Sequence, residues 1–558
     1  MTWHPSSRSF ARPPALLPRL ERNRTLLPRR SQRLLLTLIG LAMLVAACGE
    51  GGPDLPFVPT PDPTPEQPRE VIVEVTELPG DEPLAGVSLA AQDAIVVTDA
   101  TGSATLSLLR GTTVEATLEG YDPSSADVPD DGPLRIALRN NVARGTVADP
   151  EGTPVAGARV FVDGGEVMAE TDDRGAYELP GVSESAVLIV KRPGYRLSEI
   201  ETGASLDLDV TLQPFEARAL YAPSAIFEAP GRLDAMLELL DRTEANALVI
   251  DVKETDGRLF YATDLPEAAE VGAVRDAPIF DLEELLPMLK ERGIYTIARM
   301  VVMKDNTSAV ARPELAVRNS ATGEPWRDNI GGAWLDPAAP GVAEYVAAIA
   351  GDLAEKGFDE VQLDYIRFFS DGPYAVADTN LPNTQSFRLP AIQRVLRVVS
   401  TKLDMTRTFL GADVFPISFI VPDDQGIGQR PEVIMPYVDY FNPMVYPSHY
   451  GPGVFGFAVP NDHPYEVVDE TLKIMSRQAQ GLPVVIRPWI QDFGYGPFPP
   501  YSADQVRAEF QAAADNDAKG WMIWNARATF TEAALGAPRE DEAAGPSPSP
   551  SSQPSNSP

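Results

Sequence analysis

The amino-acid sequence predicts a multidomain chain in which two all-β sandwich modules precede an α/β barrel of eight βα units. Three observations predict this. Short β-branched runs broken by glycine turns fill residues 70 to 214 and repeat themselves once. From residue 215 onward eight strand-like runs alternate with amphipathic helical stretches, the rhythm of a parallel sheet. Proline-rich, low-complexity segments bracket both regions. At 558 residues the chain exceeds one ordinary domain, and its 44% hydrophobic content is that of a globular protein. A formal charge of −34 repels phosphate, which argues against nucleic acid or anionic headgroups as partners.

The first 33 residues hold eight arginines against one acid, Glu21. They lead into "LLLTLIGLAMLVAAC", an apolar run too short for an ordinary span and closed by small residues. This is the pattern of an export signal over residues 1–47. Cys48, the only cysteine, ends "LVAAC", which resembles the lipobox of bacterial lipoproteins. That resemblance implies lipidation of Cys48, a membrane anchor and an extracytoplasmic location. The alternative is an ordinary signal with an incidental cysteine. A lone cysteine excludes an internal disulfide. Residues 48–69 read as a Pro-rich tether, and residues 538–558, ending "GPSPSPSSQPSNSP", as a disordered tail.

Within the β-rich region "PLAGV", "TDATG" and "EGYDP" at 83 to 123 are echoed by "PVAGA", "TDDRG" and "PGYRL" at 154 to 197. The repeat defines two tandem sandwiches, residues 70–140 and 141–214. The second, through Gly145, Pro154, Gly157, Ala158, Gly175, Tyr177, Gly194 and Tyr195, resembles carboxypeptidase regulatory-like domains, which share a carbohydrate-binding-like fold. Such a module either binds glycan or acts as a spacer.

Residues 215–537 carry the strand candidates "ARALYAP", "NALVIDVK", "YTIARMVV", "DEVQLDYIRF", "TFLGADVF", "YFNPMVY", "PVVIRPW" and "GWMIWNA". Eight units over that length point to a (β/α)8, or TIM, barrel. A doubly wound sheet is the alternative, but no glycine-rich nucleotide turn follows the first strand.

Strand parity selects the candidate chemistry, because alternate side chains face opposite sides and the helix-facing side is apolar. In "DEVQLDYIRF" Val361 and Leu363 are the apolar set, so Gln362 and Asp364 turn inward. In "FLGADVF" Asp413 lies at the same C-terminal rim on the next strand. Asp251, Lys253 and Glu254, Arg299, Tyr446 and His449, Arg487, Trp489 and Asp492, and Trp524 with Asn525 end other strands. Rings beside acids, arginines and amides suit a sugar, whose CH face stacks and whose hydroxyls need paired hydrogen bonds. The bland alternative is a satisfied ion pair, Asp364 being neutralised by Arg299 or Arg367. Histidine occurs only at 4, 449 and 463, so a three-histidine zinc site cannot be built, and neither a G-x-S-x-G elbow nor a Walker loop is present.

With those residues laid out, the region from about 218 to 530 resembles a family of bacterial proteins known as the putative glycosyl hydrolase domain. The matching stretches include "NALVIDVKETDGRL", "GIYTIARMVVMKD", "GFDEVQLDYIRF", "NPMVYPSHYGPG", "RPWIQDF" and "GWMIWNA". Two departures are Phe369, where the family usually has proline, and Pro416, where glycine is expected. The resemblance implies a barrel and, by analogy, a glycoside hydrolase cleaving a polysaccharide with two carboxylates. Asp364 is then the expected nucleophile and Asp413 the general acid/base, with Asp492, Asp251 and Glu254 in reserve. Arg299, Arg367, Tyr446, His449, Arg487, Trp489, Trp524 and Asn525 are the expected substrate-binding residues. No cofactor or metal is expected. The competing reading is a non-catalytic glycan-binding or scaffold lipoprotein.

Overall fold

The computed structural model describes residues 67–203 and 205–538. The expected signal (1–47), Cys48, the tether up to residue 66 and the tail beyond residue 538 lie outside the described residues.

The β-rich region consists of two modules, each with two sheets over its own apolar core. In the first, Val71, Val73 and Val75 of the strand Arg69–Leu78 pack with Leu89, Leu106, Val114 and Ile136. In the second, Val147, Val160, Leu179, Leu188 and Val190 do the same. The internal repeat has a physical basis in its turns. Thr98 Oγ1 donates to Leu84 O and accepts from Val87 N, as Thr171 Oγ1 does with Val155 O and Ala158 N. The following aspartates, Asp99 and Asp172, each accept backbone N–H bonds from residues two and four positions on. The glycines closing these turns, Gly102 and Gly175, have φ of 72° and 75°. A Cβ there would lie 2.6 Å from Val75 O and 2.2 Å from Val147 O, so only glycine fits.

Residues 217–524 form a curled, TIM-barrel-like parallel sheet with helices outside it. Its spatial order runs Val485–Ile486, Tyr440–Pro443, Phe409–Val414, Glu360–Asp364, Tyr295–Val301, Ala247–Lys253, Ala217–Ala222, Gly520–Trp524, Trp489–Gln491. The two edge segments are pieces of one stretch, interrupted where Pro488 has no N–H to offer the ladder. A bridge between Met444 and Trp489 runs beside that break. Most of these strands are buried along their whole length, which is why their sequences are near-continuous apolar runs.

The expected amphipathic helical stretches form helices at 232–242, 282–291, 342–356, 385–403, 464–479 and 503–515. In Leu282–Glu291 the buried residues are Leu282, Leu285, Leu286 and Leu289, the spacing of one helix face, and Asp281 caps the first turn. Between Phe409–Val414 and Tyr440–Pro443 the chain forms only the short helices Ile417–Ile420 and Pro431–Ile434 and a 3₁₀ turn. The long loops after Tyr295–Val301 and Glu360–Asp364 are joined by the pairing of Arg318–Asn319 with Ala377–Asp378. Among the described residues no helix is long and apolar enough to cross a membrane.

The second module is packed against the N-terminal end of the curled sheet. Phe161 and Ile189 lie outside that module's core cluster yet are fully buried. Beside them the Lys191 ammonium donates to the carbonyls of Leu403 at 3.2 Å, Thr406 at 2.7 Å and Thr408 at 3.0 Å, all in the segment leading into Phe409–Val414. Arg159 pairs with Asp404 and Asp439, and Gly194 N donates to Tyr440 at 3.1 Å. A buried ammonium is costly unless its donors are used, and here three carbonyls use them. Replacing Lys191 by methionine keeps the volume and takes the donor from all three carbonyls, of which Leu403 O still accepts from Thr406. The expected loss is about 1–3 kcal/mol, read by calorimetry as a lower unfolding temperature and by limited proteolysis as faster cleavage near residue 214.

Candidate functional site

At the C-terminal ends of the strands one buried guanidinium gathers three acids. Arg299 Nη1 donates to Asp251 Oδ1 at 2.5 Å and Glu254 Oε1 at 2.9 Å, while Nε and Nη2 donate to Asp364 Oδ2 at 3.1 and 2.6 Å. The sheet makes this possible because Asp251 and Arg299 are register partners and Asp364 lies two residues beyond Gln362, the partner of Arg299. Tyr221 donates its hydroxyl to Asp251 Oδ2. Its ring stacks on Trp524 with centroids 4.1 Å apart, and Trp524 meets Trp489 edge-on at 5.5 Å. The Arg299 guanidinium lies 5.3 Å from the centre of the Trp524 ring.

Asp413 completes the cluster from the next strand, accepting the Trp489 indole N–H at 2.8 Å. Burial holds its carboxyl well above the usual carboxylate range, and the charge of Asp364 adds to that; the Trp489 N–H and Arg299 oppose it. Burial also pushes Asp251 up to about 6, against the pull of Arg299. Tyr446, likewise buried, has its phenol raised by burial and then by the charges of Asp413 and Asp364. One cation therefore faces four carboxyl groups, and the two most enclosed acids answer by holding their protons more tightly.

Inward parity runs the length of Glu360–Asp364. Glu360 pairs with Arg487, Gln362 Nε2 contacts Met522 Sδ across the interior at 3.1 Å, and Asp364 meets Arg299. Gly411, inward on the neighbouring strand, gives them room, since a Cβ there would lie 2.5 Å from Glu360 Oε1 and 2.8 Å from Asn442 Nδ2. The strand stops at Asp364 because Tyr365 adopts φ of 55°. Such a conformation at a non-glycine residue costs about 1–3 kcal/mol. Asp364 Oδ1 accepts the Tyr365 N–H at 2.6 Å, so the turn also orients the carboxylate.

Three expected binding residues and one reserve acid are placed differently from the sequence reading, and a fourth binding residue, His449, lies farther out. Arg367 does not pair with Asp364: the left-handed turn breaks the strand's parity, and its guanidinium sits 5.0, 4.7 and 4.7 Å from the rings of Trp334, Tyr365 and Phe415. Arg487 belongs to the opposite end. It is fully buried against Glu360 and Tyr440, the first residues of their strands, because the break at Pro488 ends the preceding segment early. Asp492 spends both oxygens on Thr531, accepting its N–H at 2.7 Å and its hydroxyl at 2.6 Å. Asn525 ties the same loop through Asp492 O and Thr529 O. His449 is exposed, its ring near Tyr446 rather than near a carboxylate. Lys253 turns onto Asp305 at 2.8 Å because the register shifts between residues 251 and 253. The structure thus brings together Asp251, Glu254, Arg299, Asp364, Asp413, Tyr446, Trp489 and Trp524. It adds Tyr221, which shares inward parity with Ala217 and Ala219 and is marked as part of the site only by its bond to Asp251. Among the described residues no group of three or more His, Cys, Asp or Glu side chains is arranged to hold a metal ion.

Residues 219–530 match the family model described as the putative glycosyl hydrolase domain, and the chain belongs to that family. Residues 142–213 match the carboxypeptidase regulatory-like domain. Among solved structures, a hypothetical protein from Ruminiclostridium thermocellum ATCC 27405 is 33% identical over 35% of this chain and 97% of that one, with a TM-score of 0.31. The PgaB (BpsB) glycoside hydrolase domain from Bordetella bronchiseptica is 14% identical over 58% and 99%, with a TM-score of 0.41. The β-amylase catalytic domain from Paenibacillus polymyxa is 11% identical over 59% and 96%, with a TM-score of 0.38. No curated protein matches the chain.

Arg299→Leu removes the shared counter-charge and leaves buried carboxylates unpaired, at an expected cost of about 3–5 kcal/mol at neutral pH. Protonation relieves the unpaired acids, so the deficit against the wild type should shrink as pH falls toward 5. Denaturant unfolding of both proteins at pH 8 and pH 5 checks the sign.

Proposed function

We propose that the chain is a glycoside hydrolase whose 215–537 region is a (β/α)8 barrel cleaving a polysaccharide by a two-carboxylate mechanism. The observation that carries this reading is the presence of two unlike carboxyls in one cluster: Asp364, ion-paired with Arg299, and Asp413, raised well above the usual carboxylate range by burial and by the charge of Asp364. Environments that push two acids apart are what acid and nucleophile assignments require. Asp364 attacks the anomeric carbon, and Asp413 gives its proton to the departing oxygen. Asp251 and Glu254 then hold Arg299 rather than take part directly. Trp489 and Trp524 wall the sugar, and Tyr446 lies beside both acids.

Asp364→Asn and Asp413→Asn are each expected to lower release of reducing ends from a susceptible polysaccharide by at least about a hundredfold. Activity should fall as pH rises through the elevated titration of Asp413. Trp489→Phe deletes an N–H that lowers that titration and should move the basic limb further up. A wild-type protein that binds a glycan without ever releasing sugar, with both Asn variants binding equally well, would favour the scaffold reading.

The sequence around Cys48 supports a second part of the proposal, an extracytoplasmic protein held to the envelope through a lipid on that residue. Cys48→Ser should shift the protein from the membrane pellet to the soluble fraction on cell fractionation. A wild-type protein already found in the soluble fraction argues for an ordinary signal with an incidental cysteine.

A further inference from the structure

A file of aromatic rings leads from the carboxylates to solvent. Tyr446 is buried, under the charges of Asp413 and Asp364. It meets the half-buried Phe493 edge-on at 5.3 Å, and Phe493 meets His449 at 5.8 Å. His449 lies 4.5 Å from Tyr495, inclined by 32°, and Tyr495 is 43% exposed. The rings come from two loops, one after Tyr440–Pro443 and one after Trp489–Gln491. Gln491 pins these loops together: its Oε1 accepts Ser448 N at 3.1 Å and its Nε2 donates to Phe493 O at 3.0 Å. Tyr446 and Phe493 pack on the core cluster at the inner end, while His449 and Tyr495 are open to solvent and can meet the CH groups of a pyranose.

Charge narrows the occupant. The cluster at the inner end sets one arginine against four carboxyl groups, and the whole chain carries −34, so a uronic-acid or sulfated polymer would be repelled. We infer that Tyr446, Phe493, His449 and Tyr495 form a track for successive sugar rings of a glycan chain without anionic groups, whose inner end lies at Asp364 and Asp413. The inference rests on the glycosidase reading and adds to it that the substrate is a polymer running out over these two loops.

Affinity electrophoresis of the purified protein tests it, with gels containing glycol chitin, xylan or hydroxyethyl cellulose, and polygalacturonate as the anionic control. The wild type and Asp364→Asn should be retarded by at least one neutral polymer and not by polygalacturonate. The double variant His449→Ala/Tyr495→Ala should lose about tenfold or more in affinity, and Tyr495→Trp with His449 intact, which keeps an aromatic face, should bind within about twofold of the wild type. Both positions are exposed, and a circular dichroism melt checks the fold of each variant. Retardation equal in the double variant, retardation by polygalacturonate, or none by any neutral polymer overturns the track. The two readings fail separately. Reducing ends that are lost in Asp364→Asn but unaffected by the double variant sink the track alone. Binding that depends on Tyr495 with no sugar ever released sinks the hydrolase alone.

Discussion

The guanidinium of Arg299 sets the charge state of the whole C-terminal end of the curled sheet. A buried charge must be paired, and this one is paired three times, with Asp251, Glu254 and Asp364. Asp413 adds a fourth carboxyl within reach of the same field and brings no cation with it. Full ionisation would leave a net negative charge in a low-dielectric space, so protons stay where burial is deepest. The raised titrations of Asp413 and Asp251 and the sharing of Arg299 among three acids thus follow from one arithmetic of charge. Tyr221 and Trp489 refine it, each giving one donor to one acid.

The two ends of the sheet are put to different uses. At the N-terminal end Arg159, Lys191 and Gly194 of the second module engage Asp404, Asp439, Tyr440 and the carbonyls of residues 403 to 408. That face is occupied by protein. The C-terminal end has Glu254, Trp524, Phe493, His449 and Tyr495 partly or largely open to solvent. The second module therefore lies at the end of the sheet away from the acids. Loops at the open end are instead fastened to one another, by Gln491, by Asp492 with Thr531, and by the short pairing of residues 318–319 with 377–378.

Much of this was legible in the sequence wherever one physical rule acted alone. Alternation in "DEVQLDYIRF" and "FLGADVF" turned Asp364 and Asp413 inward, since nothing interrupts either strand before those residues. The repeated threonine, aspartate and glycine turns were visible because each residue type answers a local demand. Where the backbone departs from regular pairing, parity misleads. The left-handed Tyr365 sends Arg367 to a nest of rings, the register shift after Asp251 sends Lys253 to Asp305, and Pro488 separates Arg487 from the rim. No sequence pattern marks those breaks apart from the proline. Tyr221 was missed for another reason: an inward tyrosine among alanines reads as core until its hydroxyl has a partner.

One strand also supplies the comparison that separates an ordinary buried ion pair from a site. Glu360 and Asp364 share a strand, a parity and a buried arginine partner. Glu360 meets Arg487 with both residues fully enclosed, next to the covered N-terminal end, and one base answers one acid. That is what a structural pair looks like in this fold. Asp364 meets an arginine already committed to two other acids, beside a fourth carboxyl that cannot ionise freely, on a strained turn at the open end. Stability alone offers no reason to collect surplus acid there, because each extra carboxyl raises the cost of burying the rest. Burial and the charge of Asp364 raise the Asp413 carboxyl well above its ordinary range, and that excess of acids over bases is what the Glu360–Arg487 pair lacks.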